Sequence, residues 1–322
     1  MDPAQFFAAS RLVIVAGKGG VGKTTVTAAL ARAAACSGLR TLVVEVEGAG
    51  GLASLFGRAP LSYDEVELFA GTGEGAATVR GRTITPDEAL LEYLRDHGLS
   101  RVTKRLLTSG ALDVVATAAP GIRDILVLGK VKQLERSGTA DLVLLDAPAA
   151  GHAITFLLAA RALLDAVRVG PIQSQARDVL ELLTDPTRCQ VVLVTLPEET
   201  PVNELVDTAF HLEDRVGVSL GPVVVNGLYR HLPGLGVDPQ AAAAASAATL
   251  RPGEGDTLAA AAAFRLDRID LQTMQLGRLG ERLPLAQLHL PFLFEGDLGP
   301  PELEVLTGAV LDAIAALQPA RP

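Results

Sequence analysis

The chain has 322 residues, 49% of them hydrophobic and 20% charged, enough apolar material for a large core and too little charge for a disordered chain. Its formal net charge of −9 gives no general attraction to nucleic acid or anionic lipid, so any polyanion it binds has to be held by a local site. Its cysteines, Cys36 and Cys189, form no CxxC pair and read as separate reduced thiols of a cytoplasmic protein.

From the N-terminus, MDPAQFFAAS carries no basic segment, and the apolar run RLVIVAG after it enters a glycine-rich loop, so the run reads as a strand and not a leader. KTTVTAALARAAACSG is an alanine-rich helix stopped by Gly38, and TLVVEVEG is a second β-branched strand. TPDEALLEYLRDHG opens with a capping box: Thr85 at the N-cap, Pro86 in the first helical position, Glu88 two residues later. AAPGIRDILVLGKVKQLERSG predicts another helix, entered through Pro120 and Gly121. ADLVLLDAP, CQVVLVTLP and GPVVVNG read as buried strands, and LAQLHLP as a further one. Residues 231–285 read as one or two helices around an exposed Gly-Pro loop. No uninterrupted apolar stretch reaches the ~18 residues that span a bilayer, so the expectation is a soluble, cytoplasmic protein with no direct membrane insertion.

Strands alternating with helices predict an α/β fold with a mostly parallel, doubly wound sheet. We expect one domain over 1–322, with a helical subdomain inserted at about 83–140 and 151–188, stretches too long to be simple crossovers.

The stretch GKGGVGKT, Gly17 to Thr24, matches the P-loop pattern G-x-x-x-x-G-K-[ST] between an apolar strand and a helix. Glycines there let successive backbone N–H groups wrap phosphates, and the helix N-terminus adds its positive end. Gly19, Gly20, Val21, Gly22, Lys23, Thr24 and Thr25 are therefore the candidate phosphate contacts. Lys23 should reach the β- and γ-phosphates, and the Thr24 hydroxyl should take one Mg²⁺ position. Lys18 is surplus to the motif. It cannot easily fold back onto phosphates enclosed by its own loop, but it can reach across an interface to the nucleotide of a facing subunit; the plainer alternative is a solvated lysine.

These residues resemble the deviant Walker A ATPases that include nitrogenase iron protein, ParA and MinD. The branch they resemble best is that of the arsenite-pump ATPases (ArsA) and the guided-entry ATPases that carry tail-anchored proteins, in its bacterial half-size form. Four further stretches carry the likeness: VEGAGGLASLFG (46–57) is similar to switch I, LLDAPAAGHAITFL (144–157) to switch II, APGIRDILVLGKV (119–131) to the PGIxEA helix and VVVNGL (223–228) to the adenine-contacting segment. The resemblance implies an ATP-sandwiched dimer in which Lys18 works in trans. Asp146, at a strand end, holds Mg²⁺ through water, and Glu47 stands where the family has the Asp that orients the attacking water. Asn226, Pro291 and Phe292 contact adenine. It also implies ATP/ADP and Mg²⁺ as cofactors, and a homodimer or a heterodimer with a related ATPase.

The chain departs from the pattern in several places. Glu47 moves the switch carboxylate by one methylene, with Glu45 as a second candidate earlier in the strand; Ala150 replaces a threonine; His152 matches a family histidine that also suits packing. Thiols for As(III) and the CxxC of a zinc-bridged dimer are missing, and Met1 and Met274 are the only methionines for an adaptable client groove. PELEVLTGAVLDAIAAL is amphipathic but acidic, which suits packing on the sheet better than membrane contact. Two functions fit. One is an ATP-hydrolysing dimeric switch that opens and closes a helical site for a hydrophobic client or membrane-protein partner. The other is a low-turnover nucleotide-binding subunit of a hetero-oligomeric pair.

Overall fold

The computed structural model describes residues 1–46, 51–71, 77–96, 121–148 and 150–317. Among them, β1 (Leu12–Gly17), β2 (Thr41–Val46), β3 (Val66–Ala70), β4 (Thr78–Ile84), β5 (Leu142–Asp146), β6 (Cys189–Thr195), β7 (Leu220–Leu228) and β8 (Gln287–Pro291) form one sheet. Its order is β3-β4-β2-β5-β1-β6-β7-β8. Every neighbouring pair is parallel except β3–β4. The six strands read from the sequence are present, and the sheet is doubly wound, with helices on both faces.

Burial on both faces explains why the central strands are continuous apolar runs. One apolar cluster joins Ile14, Val44, Leu145 and Leu193 to helices Ile122–Ser137, Ala150–Ala166 and Pro171–Thr184. The other joins Val15, Val43, Leu144 and Val194 to helices Lys23–Cys36 and Pro300–Ala316. In helix Lys23–Cys36, Ala28, Ala29, Ala31, Ala33, Ala34 and Ala35 are buried, so small side chains bring it close to the strands. Helix Pro300–Ala316 buries Leu303, Leu306, Val310 and Ile314 in the same cluster, as its amphipathic pattern predicts. Residues 231–285 hold helices Pro239–Ala245 and Glu254–Arg282. Among the described residues no helix is long and apolar enough to cross a membrane.

Strands β3 and β4 have no counterpart in the sequence reading, for a physical reason. Their charges break the apolar pattern but are matched locally: Arg80 pairs with Glu65 at 2.8 Å and Arg82 lies over the Tyr63 ring, 4.3 Å from its centroid. Helix Pro86–Asp96 follows, with the Thr85 hydroxyl accepting from the Glu88 backbone N–H at 3.3 Å and donating to the Glu88 carboxylate at 2.7 Å. The second helix read from the sequence is present as Ile122–Ser137; of the helical subdomain expected over 83–140, residues 97–120 lie outside the described residues.

At the end of the sheet away from the β-strand carboxyl termini, Glu135 is buried and receives Arg188 through Nε (3.2 Å) and Nη2 (2.5 Å). This ties helix Ile122–Ser137 to the start of β6. Arg188→Met should cost roughly 3 kcal/mol because it leaves the buried carboxylate only Arg11, 3.7 Å away, while Arg188→Met with Glu135→Leu should recover most of it. Urea denaturation of both variants checks this; a double variant as unstable as the single one would contradict it.

Candidate functional site

The carboxyl ends of β1, β5 and β7 open toward one edge of the sheet, and the P-loop leaves β1 there. Its shape depends on glycine at two positions. A Cβ on Gly17 would run into the Val194 carbonyl of β6, and Gly22, at φ 86°, would meet the Asn226 amide. Gly22 is also the N-cap of helix Lys23–Cys36 and supplies no side-chain cap, so the first N–H groups of the helix are left for an anion.

The register β1–β5 sets Val15 beside Asp146. Thr24 Oγ1 donates to Asp146 Oδ2 at 2.7 Å, and Thr27 Oγ1 lies 3.4 Å from Oδ1. Burial pushes the Asp146 carboxyl above the usual carboxylate range, opposed by the Thr24 hydrogen bond, the Lys23 charge and Thr27. Burial also pulls Lys23 below the usual lysine range, and Asp146 holds it up. Lys23 Nζ donates to the Lys18 carbonyl at 3.0 Å, bridging the loop it closes.

Lys18 points elsewhere. Its Nζ donates to Glu204 Oε1 at 2.7 Å, on helix Glu199–His211, and both side chains are partly exposed. This partner was not legible in the sequence, because only tertiary packing brings residues 18 and 204 together.

The other wall comes from β7 and β8. Asn226 Nδ2 donates to the Val21 carbonyl at 3.0 Å. A cleft of about 390 Å³ is lined by Gly20, Gly22, Thr25, Asn226, Pro291 and Phe292, all of them candidates from the sequence. Gly19 and Val21 lie in the same loop, between β1 and helix Lys23–Cys36. Glu45 is buried in β2, accepts from Thr83 Oγ1 at 3.4 Å and stands in register with Asp146. Glu47 and the side chains of Ala150 and His152 lie outside the described residues. Sequence reasoning also passed over Thr27, one turn beyond Lys23, and Gln272, a buried glutamine whose helical spacing to Leu279 marks the packed face of its helix.

The sequence profile of the anion-transporting ATPases matches residues 10–169, about half the chain, from β1 through the P-loop and Asp146. The chain belongs to the anion-transporting ATPase family. It is 36% identical to the ATPase BagA of Mycobacterium tuberculosis over 230 residues, 69% of this chain and 66% of that protein. It is 29% identical to the arsenical pump-driving ATPase of Escherichia coli over 218 residues, 67% of this chain and 34% of that protein. To the ATPase get3 of Schizosaccharomyces japonicus it is 28% identical over 145 residues, 45% of this chain and 42% of that protein. The chain thus spans only part of each relative's length. The proteins of this family that it resembles are ATPases.

The raised pKa of Asp146 has a consequence for stability. The folded chain binds this proton more tightly than the unfolded one, so the contribution is complete below the unfolded pKa and lost as pH rises through the folded value. Asp146→Asn, which keeps an acceptor for Thr24, should therefore raise the thermal midpoint at neutral pH. The gain should vanish as pH falls through the usual carboxylate range. Calorimetry across that range checks it, and a variant that melts lower than wild type at neutral pH would contradict it.

Proposed function

We propose that the chain is an ATP-driven dimeric switch: it binds ATP with Mg²⁺ in this cleft, hydrolyses it to ADP and phosphate, and uses the cycle to open and close a helical client-binding region. The observation that carries this is Thr24 hydrogen-bonded to Asp146 at 2.7 Å beside the half-buried Lys23, on a P-loop whose Gly20, Gly22 and Thr25 line a cleft with Asn226 and Phe292.

In this reading the P-loop N–H groups of Gly19 to Thr25 take the phosphates, and Lys23 exchanges the Lys18 carbonyl for β- and γ-phosphate oxygens. Thr24 and Asp146 present two hard oxygens 2.7 Å apart, a donor pair that suits Mg²⁺, and they are the residues that would hold it. Held by them, Mg²⁺ would supply positive charge against the phosphates. Pro291 and Phe292 pack on the base and Asn226 faces its edge. Glu47 orients the water and accepts its proton; the water oxygen bonds to the γ-phosphorus as the bond to the β–γ bridging oxygen breaks. Lys18 leaves Glu204 and faces the nucleotide of a second copy or of a related ATPase, where its charge offsets what develops in transfer.

The helices Pro86–Asp96, Ile122–Ser137, Ala150–Ala166 and Pro171–Thr184 are the helical layer we assign to a hydrophobic client or membrane-protein partner, in a cytoplasmic protein. The charge of −9 argues against nucleic acid. Relatives include an arsenical pump-driving ATPase. Cys36 is exposed at a helix end, whereas Cys189 is buried in β6 with its thiol pushed up to about 12 by burial, so one chain offers no converging thiolates for a metalloid.

Steady-state turnover of the pure protein tests this. Lys18→Ala should still bind ATP but lose on the order of 10²-fold or more in turnover, while Glu204→Gln, which frees the lysine, should keep it. Lys18→Ala turning over like wild type would remove the trans lysine. A wild type that binds ATP but turns over only with a second ATPase chain would favour the partner-subunit alternative.

A further inference from the structure

The long helix Glu254–Arg282 lies outside the P-loop, yet one of its side chains bonds to Gly227, which lines the cleft. Gln272 is only 5% exposed. Its Oε1 accepts from the Tyr229 backbone N–H at 2.8 Å, and its Nε2 donates to the Gly227 carbonyl at 3.1 Å. One amide orientation alone satisfies a donor and an acceptor so placed, so the side chain is keyed to the backbone on both sides of Leu228.

This short stretch adjoins both walls of the cleft. Just before it, Asn226 ties to the P-loop through Val21. Within it, the Leu228 carbonyl accepts from the Phe292 N–H at 2.8 Å, which sets where the Pro291–Phe292 wall begins. After it, the Tyr229 ring meets Phe292 at 5.1 Å and Phe294 at 5.4 Å between centroids, and the Arg265 guanidinium of the same helix lies 5.1 Å from the Phe294 ring. Helix Glu254–Arg282 therefore contacts the segment that links Asn226 to Phe292.

We propose that Gln272 is a positioning residue for base recognition: by clamping Gly227 and Tyr229 it holds Asn226 and Phe292 at the spacing that selects adenine. The inference rests on the ATP-site reading above. Its physical basis is that the part-buried Gly227 carbonyl and Tyr229 N–H, both held by Gln272, regain good partners without it by a shift of the loop. Loop movement displaces Asn226 and Phe292 together and leaves Lys23, Thr24 and Asp146 in place.

The test compares Gln272→Leu with Gln275→Leu by calorimetric titration of ATP and GTP and by kcat and KM. Gln275 is buried on the same face, and its Oε1 lacks a hydrogen-bond partner among the described residues, so it is the control for helix packing. Gln272→Leu should bind ATP roughly tenfold more weakly, lose most of its preference for ATP over GTP and keep kcat at saturation. Gln275→Leu should keep all three. A Gln272→Leu protein that keeps its ATP affinity and preference, even with a lower melting temperature, overturns the proposal and leaves Gln272 as a packing residue. If Gln272→Leu does not fold, hydrogen exchange on the wild type decides. ATP should slow the amides of 226–229 and of 268–276 together, and protection confined to the P-loop overturns it. A wild type that binds neither nucleotide removes the ATP-site reading itself, which is a different result from a variant that binds both nucleotides as the wild type does.

Discussion

A carboxylate taken out of water has to be held, and the hydrogen bonds around Asp146 organise the site. The parallel register of β1 and β5 puts it beside the P-loop. Thr24 and Thr27, on successive turns of the helix that starts at Lys23, reach it and so orient that helix against the strand end. Those bonds and the Lys23 charge offset only part of the burial, and the acid keeps a raised pKa. A group in that state gains from a nearby cation, which agrees with the Mg²⁺ we propose for it.

The two lysines of the loop diverge because their surroundings differ. Lys23 is half-buried beside Asp146 and turns inward to a carbonyl of its own loop. Lys18 turns outward and is met by Glu204, an exposed pair of the kind worth little in water. A weak, solvated pair can be exchanged for a stronger partner, such as phosphate buried in an interface. Helix Glu199–His211, which carries Glu204, is also held to helix Glu254–Arg282, through Arg278 to Asn203 at 2.8 Å and Arg282 to Asn203 at 2.7 Å. The long helix thus contacts the element that holds Lys18 and the Gly227–Tyr229 segment beside the cleft.

Much of this was legible in the sequence. Strands buried on both faces are unbroken apolar runs, and the P-loop glycines have no other common use in a strand–loop–helix setting, so the centre of the sheet and its loop could be read directly. The edge could not. β4 carries Arg80 and Arg82, whose charges meet Glu65, just before β3, only once the strands pair, and an apolar-pattern reading passes over them. The same limit applies to Glu204 and Gln272. Each acts through a partner distant in sequence, 186 residues away for Lys18 and 45 for Gly227, and no local pattern encodes such a pairing.

The measurement that tests the account most directly is the solution mass of the pure protein by light scattering, in Mg²⁺ with ATP and with ADP. The account predicts twice the single-chain mass with ATP and a return to the single-chain mass with ADP, as Lys18 passes from Glu204 to a facing nucleotide and back. ATP bound at saturation with the mass unchanged would contradict it.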